Sequence, residues 1–475
     1  MGDLTAVALA RAVRDRAIEL ARRSESRSVD MLRTLVRIPS RTGEEGEAQG
    51  YLAHHLRRAG AANRLAEPDI AALFARYPHV AQYPTHWRHD LVLPYDHLPS
   101  LDQLERSGLG EVLNYRGRPN LTGRWNGSGG GRSLILNGHI DTVTVEPRHH
   151  WHADPFGAEI AGGRLYGRGS ADMKGGLGAA LMAMSYLAEA GFVPAGGITF
   201  QSVVNEEHAG NGTLDLVRLG AAADLAIVLE PTENRIATGH PAGVYFQLDV
   251  FGVPRPPGAR WDEGRQVGIS AIELLPSFVS GLLDLEREIN GAAREGTAPL
   301  SLVFGKVSGG SYETLTAAEA SLRGLAYFAA ELGTPADVMA RLREAVVRIE
   351  AGRPHPAVRP ARLSFLHHDD GVVDGGAHTG AALLGHVLAC RGLPPGALRA
   401  PYCCDLRHLV NQGGMPGLIF GPGSIAEAHR PNESIGLREY LTSIEILIDF
   451  ICAWCGGTAA ESHPEEEQPA CLRSN

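Results

Sequence analysis

The stretch LILNGHIDTV, residues 134–143, joins a short apolar run to a histidine and an aspartate two positions apart. The continuous apolar run 134–136 is typical of a parallel strand that is covered on both faces of its sheet. In open α/β sheets, ligand sites lie just beyond the carboxyl ends of strands, which is where His139 and Asp141 fall. On this stretch alone, a histidine held by a carboxylate for structural reasons is the commoner explanation. The decision therefore depends on partners elsewhere in the chain.

Composition describes an ordinary globular chain rather than a membrane protein or a nucleic-acid-binding protein. The 475 residues are too many for one hydrophobic core, so at least two domains are expected. The formal charge of −10 disfavours nonspecific nucleic-acid binding, and no apolar run approaches the ~18 residues of a membrane span. Residues 1–23 alternate charged with small apolar residues, which predicts a surface helix rather than a signal peptide.

The six cysteines do not form a disulfide framework in a chain of this length. Cys452 and Cys455 make a C-x-x-C pair, a spacing that can bind metal or support redox chemistry. Because no second C-x-x-C pair is present and apolar neighbours recur at helical spacing, two thiols buried in a final helix are favoured. A reduced, cytoplasmic setting fits this usage.

Two patterns of elements predict a larger α/β domain with a smaller domain inserted into it. Strands and helices alternate from residue 134 to 239, whereas a β-α-β-β-α order occupies 243 to 350. The predicted parts are 1–240 for the first part of the catalytic domain, with an elaborated segment at 66–120, 241–355 for the inserted domain, 356–455 for the second catalytic part and 456–475 for a disordered acidic tail.

Further acidic and imidazole side chains follow predicted strand ends or turns downstream of His139. They are Asp172 in a glycine-rich turn, the adjacent Glu206 and Glu207, Glu230 and, in a late loop, His429. So many charges at one rim of a sheet would repel each other unless a cation neutralised them. Mixed histidine and carboxylate ligation suits zinc, with cobalt or manganese as alternatives.

Seven motifs make the sequence resemble the co-catalytic dinuclear zinc hydrolases, which include acetylornithine deacetylase, succinyl-diaminopimelate desuccinylase, aminoacylase and glutamate carboxypeptidase. They are NGHIDTV, W..DPF, GRGSADMKGG, NEEHAGNGT, LEPT, CDLRHL and GPGSIAEAHRPNES. The resemblance covers about residues 30 to 450. It implies a zinc-exopeptidase-like catalytic domain, with a mixed central sheet flanked by helices and two divalent metal ions. It also implies a ferredoxin-like inserted domain that serves as a lid and joins two chains in a homodimer.

The resemblance assigns a role to each clustered residue. The implied metal ligands are His139 and Glu230 for the first ion, His429 and Glu207 for the second, and Asp172 bridging both. Asp141 would orient the ring of His139 and raise its basicity. Glu206, left without a metal, would move the proton from the attacking water to the leaving amine.

One departure from the family concerns the histidine that its inserted domain supplies to the oxyanion across the dimer. No histidine lies between Gly252 and Ile272, where that residue is expected. A missing oxyanion donor costs about 10²–10³ in rate, so either another residue substitutes or the reaction differs from ordinary amide hydrolysis. Arg255, Arg260 and His240 are the candidates.

Other departures affect the predicted substrate pocket. Tyr327 or Phe328 stands where the family has a lid arginine, and the stretch GGSYETLTAAEA lacks the family's asparagine. Together with Pro254, Pro256 and Pro257, these rings predict a stiffer and more apolar lid side. Arg407 resembles a position that holds a substrate carboxylate, although a salt bridge to Asp405 or another acid explains it equally well.

Three classes of function follow from these residues. The first is a metal-dependent amidohydrolase or deacylase acting on an N-acyl amino acid or a small peptide-like substrate, bulkier or less anionic than N-acetylornithine. The second uses the same site for amide formation or acyl transfer in a specialised biosynthetic pathway, as the rewritten lid allows. The third is a metal-binding protein without catalysis, which Glu206 disfavours because a binder needs no unliganded carboxylate beside its metals.

Overall fold

A computed structural model describes residues 2–82, 103, 106, 114–294, 299–353 and 359–459. The predicted tail from residue 460 onward and much of the elaborated segment 66–120 lie outside these ranges. The helices are α1 (Gly2–Arg23), α2 (Glu25–Arg37), α3 (Gly46–Arg58), α4 (Ile70–Arg76), α5 (Gly175–Glu189), α6 (Asn211–Arg218), α7 (Ala271–Gly291), α8 (Pro335–Ala351), α9 (His378–Cys390) and α10 (Leu437–Cys455).

The strands run from β1 to β19 in chain order. They are β1 (Ala62–Ala66), β2 (Asn120–Trp125), β3 (Leu134–His139), β4 (Glu159–Ala161), β5 (Arg164–Tyr166), β6 (Phe192–Pro194), β7 (Ile198–Val203), β8 (Leu225–Val228), β9 (Ile236–Ala237), β10 (Ala242–Phe251), β11 (Trp261–Asp262), β12 (Arg265–Gln266), β13 (Leu300–Gly309), β14 (Glu319–Phe328), β15 (Arg362–Asp369), β16 (Ala397–Leu398), β17 (Gly417–Ile419), β18 (Ser434–Gly436) and β19 (Gly457–Ala459).

The larger domain is built on an eight-stranded sheet with the order β1-β2-β7-β3-β8-β17-β9-β16. Strand β3 is parallel to both β7 and β8, and β2 pairs antiparallel with β7, so the sheet is mixed. All six residues of β3 are buried. Leu134 and Leu136 belong to the large apolar core that includes α5, whereas Ile135 belongs to the core on the other face. The prediction of an α/β fold with a mixed, doubly covered sheet is confirmed.

The inserted domain is a four-stranded antiparallel sheet with the order β13-β14-β10-β15. Helices α7 and α8 share one apolar core with it. Strand β15 pairs with β10 from Gly243–Asp369 to Asp249–Arg362. The predicted boundary at residue 355 is therefore too early by one strand, and the observed order is β-α-β-β-α-β. Strand β15 lies at the edge of the sheet, and its sequence contains two histidines and an aspartate. Its sequence therefore lacks the apolar pattern that would predict a strand.

None of the helices in the described ranges is both long and apolar enough to cross a membrane. Cys452 and Cys455 lie in α10 as free thiols. Burial raises the pKa of each to about 12, so both stay protonated at neutral pH. The prediction of packed thiols in a final helix is confirmed.

Candidate active site

The carboxyl ends of three neighbouring parallel strands carry most of the predicted cluster. His139 is the last residue of β3, Glu206 and Glu207 follow β7, and Glu230 follows β8. In the sheet register His139 lies opposite Val203, the last residue of β7. Parallel neighbours place their carboxyl ends at one edge, which is why these distant motifs meet.

Two further side chains reach this edge from turns. Asp172 lies in the turn Ser170–Lys174, which leads into α5, and His429 lies between β17 and β18. The turn around Asp172 is held by Glu433, whose carboxylate accepts the N–H groups of Gly169, Ala171 and Asp172 at 2.9–3.1 Å. Glu433 also accepts a hydrogen bond from Arg168 at 2.6 Å. Sequence analysis missed Glu433, although it lies in the same motif as His429.

The metal ligands implied by the resemblance lie within contact distance of one another. His139 Nε2 is 3.0 Å from Asp172 Oδ1 and 3.5 Å from Glu230 Oε1. His429 Nε2 is 2.9 Å from Glu207 Oε2 and 3.2 Å from Asp172 Oδ2. Asp172 thus offers one carboxylate oxygen to each histidine, an arrangement suited to a bridging ligand.

The electrostatics of this cluster fit a cation site. Burial raises the pKa values of Glu206 and Glu230 well above their usual range. Although burial alone lowers the pKa of His139, Glu230, Asp172 and Glu206 together raise it well above its ordinary value. Candidate ligand atoms of His139, Asp172 and Glu207 lie within 4.8 Å of one another, as do those of His139, Glu206 and Glu230. Buried carboxylates that mutually disfavour ionisation are the donor set that a divalent ion stabilises.

Asp141 holds the site together through two different groups. The backbone carbonyl of Asp141 lies 2.8 Å from His139 Nδ1, so that nitrogen donates and Nε2 faces the cluster. The Asp141 carboxylate is 3.7 Å from the same nitrogen and instead accepts the N–H groups of Glu206 and Glu207 at 3.1 and 3.2 Å. The predicted orientation of His139 is therefore made by the main chain of Asp141, because its carboxylate caps the Glu206–Glu207 turn.

The elaborated segment contributes a residue that the sequence analysis did not single out. Tyr115, buried within this segment, donates its hydroxyl to Asn205 Oδ1 at 2.5 Å. Asn205 immediately precedes Glu206 and has a positive φ of 66°. Nothing in the local sequence around Tyr115 signals this contact, because it joins segments 90 residues apart.

A cleft of ≈ 560 Å³ opens between the histidine and carboxylate cluster and the inserted domain. Glu206, Glu207 and His429 line one side, which we term the metal end. The opposite side, termed the lid end, is formed from strands of the inserted domain by Tyr245, Leu325, Tyr327, Leu366, His367 and Asp369. The structure places Tyr327 in the cleft as predicted, with its hydroxyl donating to the Pro401 carbonyl at 2.6 Å.

Arg407 lines the same cleft but is already paired. Its Nη2 lies 3.2 Å from Asp369 Oδ1, and its Nη1 lies 3.9 Å from Glu206 Oε1. Asp369 also contacts His367 Nε2 at 3.0 Å. Of the alternatives for Arg407, the structure shows a salt bridge, and the acid comes from the inserted domain rather than from Asp405.

Several predicted pocket residues lie elsewhere in this chain. Arg255 lines a separate cavity on the inserted domain, together with Pro257 and Arg260. His240 is buried, has its Nδ1 2.8 Å from the Pro241 carbonyl, and does not line the cleft. Burial lowers the pKa of His240 to about 4, so it is neutral at physiological pH.

Phe328 corrects the expectation of an apolar, proline-stiffened lid side. It is 1% exposed and belongs to the core of the inserted domain. Successive residues of a strand point to opposite faces, so Tyr327 faces the cleft and Phe328 cannot. Neither Pro254, Pro256 nor Pro257 is among the described residues that line the cleft. The lid end is instead aromatic and polar.

Comparison with known proteins places these features in a family. The family model described as Peptidase family M20/M25/M40 matches residues 135–453. The chain is 29% identical over 368 residues to the N-formyl-4-amino-5-aminomethyl-2-methylpyrimidine deformylase of Bacillus subtilis (strain 168), covering 72% of this chain and 84% of the relative.

Solved structures share the fold at lower sequence identity. A tripeptidase from Staphylococcus aureus (strain Mu50) superposes with a TM-score of 0.64 at 18% identity, covering 91% of this chain and 99% of the other. The YxeP protein of Bacillus subtilis, described as a dinuclear metal-binding peptidase, gives a TM-score of 0.58 at 13% identity, covering 91% and 98%. At these identities the likeness supports the fold alone.

Proposed function

Because the chain belongs to peptidase family M20/M25/M40 and is therefore a metal-dependent hydrolase of amide C–N bonds, we propose that it cleaves a small N-acyl substrate with Glu206 as general base. The observation that carries this proposal is the position of Glu206. Its Oε2 lies 3.9 Å from His139 Nε2, and it lines the cleft beside the proposed metal ligands. A carboxylate so placed has access both to the metal end and to a substrate.

We assign the metal ligands as the resemblance implies. His139 and Glu230 would hold one divalent ion, His429 and Glu207 a second, and Asp172 would contact both. Zinc suits these donors best, with cobalt or manganese as alternatives. When bound, such ions polarise the amide carbonyl and lower the pKa of a water molecule toward neutrality.

Glu206 performs the proton transfers in this proposal. It accepts a proton from the attacking water and delivers it to the leaving nitrogen as the C–N bond breaks. Burial raises the pKa of its carboxyl group, so the carboxylate would be a stronger proton acceptor than an exposed glutamate once cations at the neighbouring ligands keep it ionised. Asp141 fixes the backbone N–H of Glu206 at 3.1 Å, so the base is aimed by the main chain.

The acyl group is small in this proposal, and the amine extends toward the lid end. The name of the Bacillus subtilis relative, a deformylase, supports a one-carbon acyl group. That relative is a hydrolase, so it lends no support to amide formation or acyl transfer. With Arg407 paired to Asp369, we expect weak or absent activity on N-acetylornithine and N-succinyl-diaminopimelate, which carry carboxylates.

A test uses the zinc-loaded protein with N-formyl and N-acetyl derivatives of neutral amines, N-acyl amino acids and dipeptides. Release of the free amine is measured for each compound. We expect hydrolysis of at least one N-formyl amine at a higher kcat/KM than its N-acetyl analogue. If no amide in the panel is cleaved by metal-loaded protein, the proposed function is wrong.

We also propose that two chains associate through the inserted domain. Strand β13 lies at the edge of its sheet and exposes Val303 and Val307, at 51% and 64%. An edge strand with exposed apolar side chains favours pairing with a second chain. Light scattering after size-exclusion chromatography tests this: we expect twice the mass of one chain, and a monomer at micromolar concentration would contradict it.

A further inference from the structure

The two ends of the cleft differ in how their charged groups are paired. The metal end combines the carboxylates of Glu206 and Glu207 with the imidazole of His429. At the lid end, Arg407 and Asp369 form an ion pair in which Arg407 is 3% exposed and Asp369 is 13% exposed. Arg407 also faces Glu206. Burial lowers the pKa of the guanidinium, but Asp369, Asp405 and Glu206 raise it by more, so Arg407 stays charged and lies among acids of this chain.

Aromatic rings make up much of the remaining lining. Tyr245, Tyr327 and Tyr402 all face the cleft. The hydroxyls of Tyr327 and Tyr402 donate to the carbonyls of Pro401 and Pro231 at 2.6 and 2.9 Å. Because the hydroxyls of Tyr327 and Tyr402 are already satisfied, these two tyrosines offer ring surface to a substrate, and such surface favours a flat aromatic group.

From these contacts, and resting on the proposed function, we infer that Asp369 is a specificity-determining residue. Because it pairs with Arg407, it excludes substrate carboxylates, so that the enzyme selects N-acyl derivatives of amines that carry an aromatic ring and no carboxylate. A carboxylate entering this cleft would lose hydration, would find Arg407 already paired, and would lie near Asp369 and Glu206. A substrate that carries an aromatic ring and no carboxylate avoids both the loss of carboxylate hydration and the repulsion by Asp369 and Glu206.

The neighbouring residue supplies a matched control. Asp370 has its Oδ1 3.3 Å from His368 Nδ1 and lines a different cavity, beside Thr334 and Met339. Asp369→Asn and Asp370→Asn therefore remove one charge each from adjacent positions, but only Asp369→Asn removes the 3.2 Å ion pair with Arg407. Both substitutions preserve side-chain shape.

The experiment compares N-formylphenylalanine with N-formylphenylalaninamide, which differ by one charge, for zinc-loaded wild type and both variants. We expect wild type to prefer the amide by at least about tenfold in kcat/KM. Asp369→Asn should shift the ratio of the two kcat/KM values toward the carboxylate by about tenfold or more, mainly through KM, and Asp370→Asn should leave it unchanged.

The outcomes separate this inference from the function on which it rests. A wild type that hydrolyses the carboxylate as well as the amide overturns the role of Asp369 and leaves the proposed hydrolysis standing. An equal shift in both variants also overturns that role. A wild type that cleaves neither compound, nor N-formylbenzylamine, overturns the proposed function. The wild-type preference is measured even if Asp369→Asn fails to fold.

Discussion

The metal end and the lid end of the cleft are built on opposite principles. At the metal end, His139, Glu207 and Glu230 come from the ends of parallel strands, and their positions follow from the sheet itself. At the lid end, Arg407 of the catalytic domain meets Asp369 of the inserted domain. The first cluster gathers several buried carboxylates around two histidines, whereas the second is a single ion pair. Backbone topology therefore positions the groups that we propose for catalysis. A side-chain pair between the two domains, Arg407 and Asp369, sets the proposed selectivity.

The largest expected effect concerns the base at the metal end. Glu206→Gln should lower kcat by about 10²–10⁴-fold while the protein keeps its metal, because the change removes the proton acceptor and no proposed ligand. Steady-state kinetics and elemental analysis on the same sample measure both properties. Glu207→Gln is the matched control, since it should lose metal as well as turnover. Near-normal turnover in Glu206→Gln would show that another group is the base.

The raised pKa values of His139 and His429 predict that metal binding displaces protons. The attraction of Glu207, against the opposing effect of desolvation, raises the pKa of His429 to about 11, and the carboxylates around His139 raise its pKa as well. Both histidines are therefore protonated at pH 7 in metal-free protein and must lose a proton to bind metal. The apparent zinc affinity should rise about tenfold per pH unit for each proton displaced.

Calorimetry in buffers of different ionisation enthalpy counts these protons. The metal-free protein should also lose stability as pH rises from about 6.5, the ordinary histidine pKa, toward about 11, because a raised histidine pKa stabilises the fold only below that range. Zinc-loaded protein should lack this loss. Zinc binding at pH 7 without proton release would contradict the assigned charge states.

A smaller effect is expected from Tyr115, whose hydroxyl binds Asn205, the residue that precedes Glu206. Tyr115→Phe removes the hydroxyl that binds Asn205 and leaves the ring in place. A hydrogen bond of this kind contributes about 0.5–1.5 kcal/mol, so kcat should fall by roughly tenfold or less. KM and zinc content should not change, which distinguishes positioning from a loss of metal. A change confined to KM would contradict this role.

The smallest effect belongs to the lid end. Tyr327→Phe removes the hydrogen bond to the Pro401 carbonyl but keeps the aromatic surface. We therefore expect KM for an aromatic N-formyl amide to rise by only a few-fold, about 0.5–1 kcal/mol, with kcat unchanged. Tyr327→Ala, which removes the ring as well, should raise KM further. Equal KM values in both variants would show that the ring does not contact the substrate.

The same division explains what the sequence could predict. His139 and its partners follow strand ends in recognisable motifs, so the fold class and the clustering of these side chains could be predicted. The carboxylate of Asp141 was placed correctly but assigned the wrong contact, because the choice between it and the main chain is a matter of ångströms.

The lid end was inaccessible because its partners are far apart in the chain. Asp369 lies in a strand whose polar sequence concealed its place in the inserted sheet, and the prediction therefore ended that domain before it. Phe328 was placed in the cleft although strand alternation puts it in the core. Arg255 lines a separate cavity of its own chain, and its role as a substitute for a histidine that acts across the dimer stays a prediction.

The central claim is that the metal end holds two divalent ions. The direct measurement is elemental analysis of protein loaded with zinc and then dialysed, with the metal expressed per chain. The account predicts two ions per chain, and a loss of zinc in Asp172→Asn, the residue that contacts both histidines. Wild-type protein that retains one ion would contradict the bridging role of Asp172, and protein that retains none would contradict the metal site altogether.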